Sequence, residues 1–166
     1  MLSLKQKQSG FTIVELLIVI VIIGILAGLV ITTFVGIQAR ARDSERQTDI
    51  NAIQKQVEAY YADKGAYPTA ANLNLLAWRS GNNVKLDVKA LADPSAATTQ
   101  SLSGTVPNGT TNKPYSYVPL NAADTACDAS TDNAGAAITP ALGACTQYTL
   151  SSWLESKSAL YTQTNQ

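Results

Sequence analysis

The stretch SGFTIVELLIVIVIIG, residues 9–24, decides how this chain of 166 residues is organised. It opens an interval, residues 11–37, in which nearly every residue is apolar and Glu15 carries the only charge. An interval of this length and composition can cross a hydrocarbon core of about 30 Å as a helix. A lone strand cannot, because its backbone hydrogen bonds would stay unsatisfied in lipid. The sequence therefore predicts one transmembrane helix with a carboxylate close to its start.

Two ordinary kinds of segment compete with this interpretation. A secretory signal peptide would explain Lys5, Lys7 and the small-x-small sequence at residues 39–41, but its apolar region is only about 7–15 residues long. A plain anchor explains the apolar run but not Glu15, since a charge at the bilayer centre costs on the order of 2.5–3.5 kcal/mol. That cost is smaller at the end of a span and beside a helix N-terminus. A tolerated interfacial glutamate and a paired glutamate both remain open.

The composition narrows the functional classes. Twelve basic and twelve acidic residues balance, and no basic stripe is visible, so we expect no direct contact with nucleic acid. The chain contains no histidine, and no pair of nucleophile and base stands out, so we predict no catalytic residues and no cofactor. Asp124, Asp128 and Asp132 lack the spacing of an EF-hand loop, so we predict no metal site.

The segment Gly10-Phe11-Thr12-Ile13-Val14-Glu15, followed at once by a long apolar run, carries a resemblance. Together with its short basic leader it resembles the class III leader and N-terminal helix of type IV pilins and type II secretion pseudopilins. The resemblance implies that a prepilin peptidase and N-methyltransferase removes residues 1–10 by cutting after Gly10. It also implies that the new N-terminal residue, Phe11, is N-methylated and that the apolar helix is retained.

The resemblance gives Glu15 a role that a simple anchor lacks. It implies that this carboxylate pairs with the N-terminal amine of a neighbouring subunit during assembly. An amine and a carboxylate attract strongly in a low-dielectric environment, and either one alone is costly there. We therefore expect Glu15 to favour docking of one copy on another over solitary residence in lipid.

The function implied by the resemblance is structural, not enzymatic. We expect a prepilin that starts as a single-pass inner-membrane protein with an extracytoplasmic head. Assembly machinery in the membrane then polymerises it with other pilin subunits into an extracellular type IV pilus for adhesion, motility or DNA uptake. The first alternative is a type II secretion pseudopilin. Less favoured alternatives are a membrane-anchored enzyme and a membrane-anchored or secreted binding domain.

Beyond residue 37 the sequence turns charged but contains no helix breaker before Gly65, so we expect the helix to continue to Lys64. From Phe11 this gives some 54 residues, or about 80 Å of helix. Apolar residues at intervals of three and four predict a stripe that packs on the C-terminal domain. The members of the stripe are Ile50, Ile53, Val57, Tyr60 and Tyr61.

Five charged residues follow the apolar run closely: Arg40, Arg42, Asp43, Glu45 and Arg46. We interpret them as a solvated membrane boundary, at which long side chains reach out to water. Ion pairs between subunits of a filament are the alternative.

The sequence from Gly65 to Pro68 predicts the end of the helix, because glycine suits a C-cap and the residue before proline avoids α conformation. Short elements are expected around residues 73–78 and 84–91. Alternating patterns predict strands at residues 113–120 and 146–154, which form an antiparallel sheet laid on the helical stripe.

Cys127 and Cys145 form an even pair in a chain with an export-like front end, which predicts a disulfide, with two separate buried thiols as the alternative. The loop between them resembles the disulfide-bounded C-terminal loop of many pilins. We therefore expect a pilin-like α+β fold, with a long N-terminal helix on a small antiparallel sheet and a disulfide-closed loop. The predicted organisation is a leader at 1–10, followed by a helix whose first half, 11–37, is the transmembrane and filament-core half and whose second half, 38–64, is amphipathic. A C-terminal head follows at 65–166. Within the head we expect a loop-rich connector at 65–112 and the sheet and disulfide loop at 113–166.

Overall fold

The computed structural model describes residues 10–95, 101–109, 115–127 and 145–165. The chain divides into two units, residues 1–38 and residues 39–166. The elements in chain order are α1 (Ile13–Lys64), α2 (Ala70–Asn74), α3 (Leu76–Gly81), a short 3-10 helix (Val88–Leu91), β1 (Ser116–Leu120), β2 (Gln147–Leu154) and β3 (Ala159–Thr164). Predictions for the leader at 1–9, for parts of the connector, for residues 113–114 and for residues 128–144 lie outside the described residues.

Helix α1 runs without interruption from Ile13 to Lys64, so it ends where predicted and begins two residues after the predicted start at Phe11. It ends where the sequence indicates, because Gly65 has a positive φ of 74° and donates its N–H to the carbonyl of Tyr61 at 2.7 Å. A residue without a Cβ adopts this conformation at little cost. Residues 13–38 of this helix belong to the first unit. By length and composition α1 is able to cross a membrane.

The core of the second unit forms around the predicted helical stripe. Ile50, Ile53 and Val57 are fully buried, and Tyr60 and Tyr61 pack against the same cluster. Periodicity at three and four residues places these side chains on one face of α1, where burial of apolar surface stabilises the fold. The other side of the core comes from the sheet and the connector: Leu73, Leu91, Leu102, Tyr115, Tyr117, Tyr148 and Leu150.

In the described part of the chain the sheet has three antiparallel strands in the order β1-β2-β3. Tyr117 lies opposite Leu150, and Ser152 lies opposite Tyr161, so alternate side chains face the core. The two predicted strands are present, and β3 was missed. The fold class is confirmed, and so is the disulfide between Cys127 and Cys145.

Candidate assembly site

The predicted cleavage and assembly motif lies at the start of α1. Gly10 and Phe11 precede the helix and are exposed to solvent, and the Phe11 side chain is 88% exposed. Thr12 is the last residue before the helix, and Glu15 lies in its first turn. The structure thus brings Phe11 and Glu15 to one end of one helix, while the roles of Gly10, Phe11 and Glu15 in processing and assembly stay predictions.

Thr12 and Glu15 form a reciprocal capping box. The Thr12 hydroxyl oxygen accepts the Glu15 N–H at 3.2 Å, and the Glu15 Oε2 accepts the Thr12 N–H at 2.9 Å. The Thr12 hydroxyl also donates to the same Oε2 at 2.8 Å. Backbone N–H groups at the start of a helix have no intrahelical partner, so this exchange satisfies two of them.

The capping box is a local structural role of Glu15 that the sequence interpretation missed. The signal was available, because Thr12 and Glu15 have the spacing of a T-x-x-E motif before an apolar run. Only one carboxylate oxygen, Oε2, is used, and Oε1 has no partner among the described residues. The glutamate can therefore cap its own helix and still accept a hydrogen bond from an external cation.

The helix surface that follows this motif is apolar and uncovered. Every Phe, Ile, Leu and Val between Phe11 and Ile37 is more than half exposed in the single chain. A surface of this kind needs a nonaqueous environment or a partner surface. Residues 11–37 therefore expose an apolar surface that lipid or an apolar surface of another chain could cover.

The charged residues after the apolar run do not all form the solvated membrane boundary that we predicted from the sequence. Arg46 is fully buried, and its guanidinium donates to Asp93 (Nε to Oδ2, 2.7 Å), Asp43 (Nη1 to Oδ1, 2.8 Å) and Glu155 (Nη2 to Oε1, 2.6 Å). Arg42 donates to the other oxygen of Glu155 at 2.6 Å. For Arg42, Asp43 and Arg46, a solvated membrane boundary is therefore wrong: they form an ion network inside the second unit.

The network joins α1 to the turn between β2 and β3. Asp43 accepts the N–H of Glu155 at 2.8 Å and both the N–H and the hydroxyl of Ser156, at 2.8 and 2.6 Å. Burial alone would raise the pKa of Asp43, but these bonds and the one from Arg46 outweigh it and lower that pKa. Burial likewise opposes the charge of Arg46, yet the bonds to Asp93 and Glu155 raise its pKa.

The described residues contain no group of three or more His, Cys, Asp or Glu side chains that could hold a metal ion. Asp124 is exposed in a turn with a φ of 56°. Asp128 and Asp132, whose spacing with Asp124 does not match an EF-hand loop, lie outside the described residues.

Comparison with known proteins agrees with the motif at the start of α1. Residues 5–31 match the family described as a prokaryotic N-terminal methylation motif. The chain is 36% identical over 103 residues to the fimbrial protein EcpC of Eikenella corrodens, which covers 61% of this chain and 67% of that protein. The chain belongs to the superfamily of type IV pilins and type II secretion pseudopilins.

Further relatives come from both branches of the superfamily. The type IV major pilin protein PilA of Myxococcus xanthus is 37% identical over 88 residues, or 53% of this chain and 40% of that protein. The type II secretion system core protein G of Aeromonas hydrophila is 42% identical over 65 residues, or 39% of this chain and 46% of that protein. The chain thus spans less than half the length of these two relatives. No solved structure matches it significantly.

Proposed function

We propose that the chain is a structural prepilin that polymerises through the N-terminal half of α1 into a type IV pilus. The observation that carries the proposal is the uncovered apolar surface between Phe11 and Ile37, which begins at a methylation motif. In the membrane, lipid covers this surface, and in a filament the same half of neighbouring copies covers it. The proposed filament serves adhesion, motility or DNA uptake.

Removal of the leader creates the amine that pairs with Glu15. A prepilin peptidase cuts after Gly10, which frees an amine on Phe11 that is then methylated. Glu15 of a neighbouring copy offers Oε1 to this amine, while its Oε2 stays bound to Thr12. In a low-dielectric environment this pairing favours the assembled state, because both charges would otherwise be unpaired there.

Each part of the chain has its own location in the envelope under this proposal. Residues 1–10 are the leader, residues 11–37 cross the inner membrane, residues 38–64 continue the helix, and residues 65–166 form the extracytoplasmic head. Assembly machinery in the membrane then transfers the processed subunit into the extracellular filament.

Mass spectrometry of the N-terminal peptide of the exported protein tests the processing step. We expect the chain to begin at Phe11 with one added methyl group, and Gly10→Ser should keep its leader and form no filaments. A mature start near residue 42 would contradict the proposal and favour a secreted domain.

Two substitutions of Glu15 separate charge from capping. Glu15→Gln retains an amide oxygen that can accept the Thr12 N–H but removes the charge, while Glu15→Ala removes both. We expect both variants to be cleaved and both to form few filaments in electron micrographs. Normal filament yield from Glu15→Gln would show that the charge is not needed and would overturn the pairing step.

A second candidate function is that of a type II secretion pseudopilin. The match to core protein G of A. hydrophila favours it, since that protein shares 42% identity over 65 residues with this chain. Deletion of the gene distinguishes the two functions. Loss of surface filaments with normal secretion supports the pilus, and retention of exoproteins inside the cell supports the pseudopilus.

A further inference from the structure

A cavity of about 550 Å³ lies in the second unit, between the last turns of α1 and the end of β3. Its lining comes from three places along the chain. Helix α1 supplies Gln54, Glu58 and Tyr61, the segment after it supplies Tyr67, and the end of β3 with the residue after it supplies Thr164 and Asn165. A cavity of this volume is in the range that holds small organic ligands.

Glu58 brings a carboxylate to this cavity and is half-buried there. Its Oε1 accepts the hydroxyl of Tyr148 at 2.7 Å, and its Oε2 accepts the hydroxyl of Tyr67 at 3.0 Å. Burial, and after it the bond to Glu58, raises the pKa of both tyrosines, so their hydroxyls stay neutral. The two partners therefore orient the carboxylate without supplying a positive charge.

No described lysine or arginine balances the charge of Glu58. The ion pairs of the described residues use other carboxylates, those of Asp43, Asp63, Asp93 and Glu155. Outside the described ranges the sequence contains three further basic residues, Lys5, Lys7 and Lys113, of which the first two belong to the predicted leader. A half-buried charge is screened less than one in open water, so it attracts cations from solution.

The hydrogen-bonding groups of the cavity narrow the kind of cation. Both oxygens of Glu58 already accept a tyrosine hydroxyl. The amide of Asn165 accepts the N–H of Tyr148 at 2.8 Å and donates to the carbonyl of Thr146 at 2.9 Å. Few acceptors are therefore left for the N–H groups of a primary amine, and Ca²⁺ takes about six to eight oxygen ligands. A quaternary ammonium ion, in contrast, carries its charge without N–H donors.

Aromatic surface in the cavity favours the same ion. The rings of Tyr61 and Tyr67 stack with their centroids 4.4 Å apart, and Tyr61 is only half-buried, so part of its surface is accessible. Aromatic rings attract positive charge, and proteins recognise quaternary ammonium groups in this way. We propose that the cavity binds a quaternary ammonium ion of the choline type, with Glu58 as its counter-charge and Tyr61 and Tyr67 as its aromatic walls.

Choline itself is the probe that tests this site. The full chain is titrated with choline chloride in dodecyl maltoside micelles, a detergent without an ammonium group, and binding is followed by calorimetry at constant ionic strength. The control ligand is the neutral analogue of choline in which a carbon atom replaces the nitrogen. We expect this analogue to bind about tenfold more weakly than choline, because it lacks the charge. No binding of choline, or equal binding of the two ligands, overturns the proposal.

A substitution of Glu58 tests the counter-charge. Glu58→Gln removes the charge but keeps an oxygen that can accept one tyrosine hydroxyl, and we expect it to weaken choline binding by about tenfold. Glu45→Gln is the matched control, since it removes an exposed carboxylate of the same helix outside the cavity lining. It should bind choline as the wild type does. Equal affinities of the two variants overturn the role of Glu58.

Two further variants keep the test decisive. If Glu58→Gln fails to fold, Tyr61→Leu replaces it, and loss of one aromatic wall should weaken choline binding by about threefold. An unchanged affinity of Tyr61→Leu contradicts the aromatic walls. Lys113→Gln should leave the affinity unchanged. Tighter binding of choline by Lys113→Gln would show that a lysine of the chain itself competes for the cavity, and this outcome overturns the proposal.

Phosphocholine distinguishes two sources of the ammonium group. Affinity equal to that of choline supports the headgroup of a lipid or glycan as the ligand. Weaker affinity, from repulsion between the phosphate and Glu58, supports the free ion. These titrations need no filaments. Failure of choline to bind therefore leaves the pilus proposal standing, and a lack of filaments leaves the choline site standing.

Discussion

The two halves of α1 differ in what covers their side chains. In residues 13–38 the apolar side chains are exposed, and Ile23 is 59% exposed. In residues 39–64 an arginine, Arg46, is fully buried beside a stripe of isoleucine and valine. The difference shows that burial in this helix follows from what covers each half and not from residue type. The apolar residues of the first half are not covered by any described part of the chain. The buried charge of Arg46, in contrast, is paired with carboxylates of the same chain.

The largest expected effect comes from removing the buried charge. Arg46→Met leaves the carboxylates of Asp43, Asp93 and Glu155 without their shared cation, and breaking a buried ion network costs about 3–5 kcal/mol. Both tryptophans, Trp78 and Trp153, lie in the second unit. Their fluorescence during denaturant unfolding in detergent therefore reports the loss of stability of that unit.

The control for this prediction is Arg40→Met, which removes an exposed arginine from the same helix. We expect its free energy of unfolding to stay within about 0.5 kcal/mol of the wild type. A similar small change for Arg46→Met would show that the network contributes little, as some buried ion pairs do.

A matched pair of isoleucines gives the next largest effect. Ile53 is fully buried and Ile23 is exposed, so the same substitution by alanine probes both halves of one helix. Ile53→Ala should lower the free energy of unfolding of the second unit by roughly 2–4 kcal/mol, because it leaves a cavity in the core. Ile23→Ala should not change it. Equal effects on the tryptophan transition would contradict the division of α1 into two halves.

Acid titration probes the charged half with a smaller effect. The pKa of Asp43 is lowered below its ordinary value of 3.8, so its contribution to stability is present above that value and lost as the pH falls through the folded pKa. Burial raises the pKa of Asp49, against the opposing bond from Tyr115, so its contribution has the opposite sign and is lost as the pH rises.

The two aspartates therefore predict opposite changes in the acid limb. Between about pH 7 and about pH 3, the unfolding midpoint of Asp43→Asn should fall less steeply than that of the wild type, and that of Asp49→Asn more steeply. Parallel curves for all three proteins would exclude both assignments.

How far the sequence predicts this fold depends on how local each signal is. The apolar run, the stripe at Ile50, Ile53 and Val57 and the stop at Gly65 are patterns within one helix, and the structure contains all of them. The Arg46 network was not predictable in this way, because Asp93 and Glu155 lie 47 and 109 residues further along the chain. Strand β3 was missed because it is an edge strand and mainly Tyr161 reaches the core, so its alternation is weak.

The capping box is the opposite case, since it is local and was still overlooked. The charge of Glu15 suggested a partner outside the chain, although Thr12, three residues earlier, completes a T-x-x-E capping motif with it. Both explanations hold here only if the two oxygens of Glu15 act separately.

The smallest effect tests this local explanation. Thr12→Val removes the hydroxyl that accepts the Glu15 N–H and donates to Oε2, and loss of an N-cap costs about 1 kcal/mol. We expect faster hydrogen exchange at residues 13–16 of the chain in detergent, while Thr12→Ser should exchange as the wild type does. The effect should stay within the first turn, because the cap holds only the groups at the helix start, so the tryptophan unfolding transition should not move. If exchange at residues 13–16 is unchanged in Thr12→Val, the capping box does not hold the helix start, and Glu15 is left with its proposed partner outside the chain as the reason for its position.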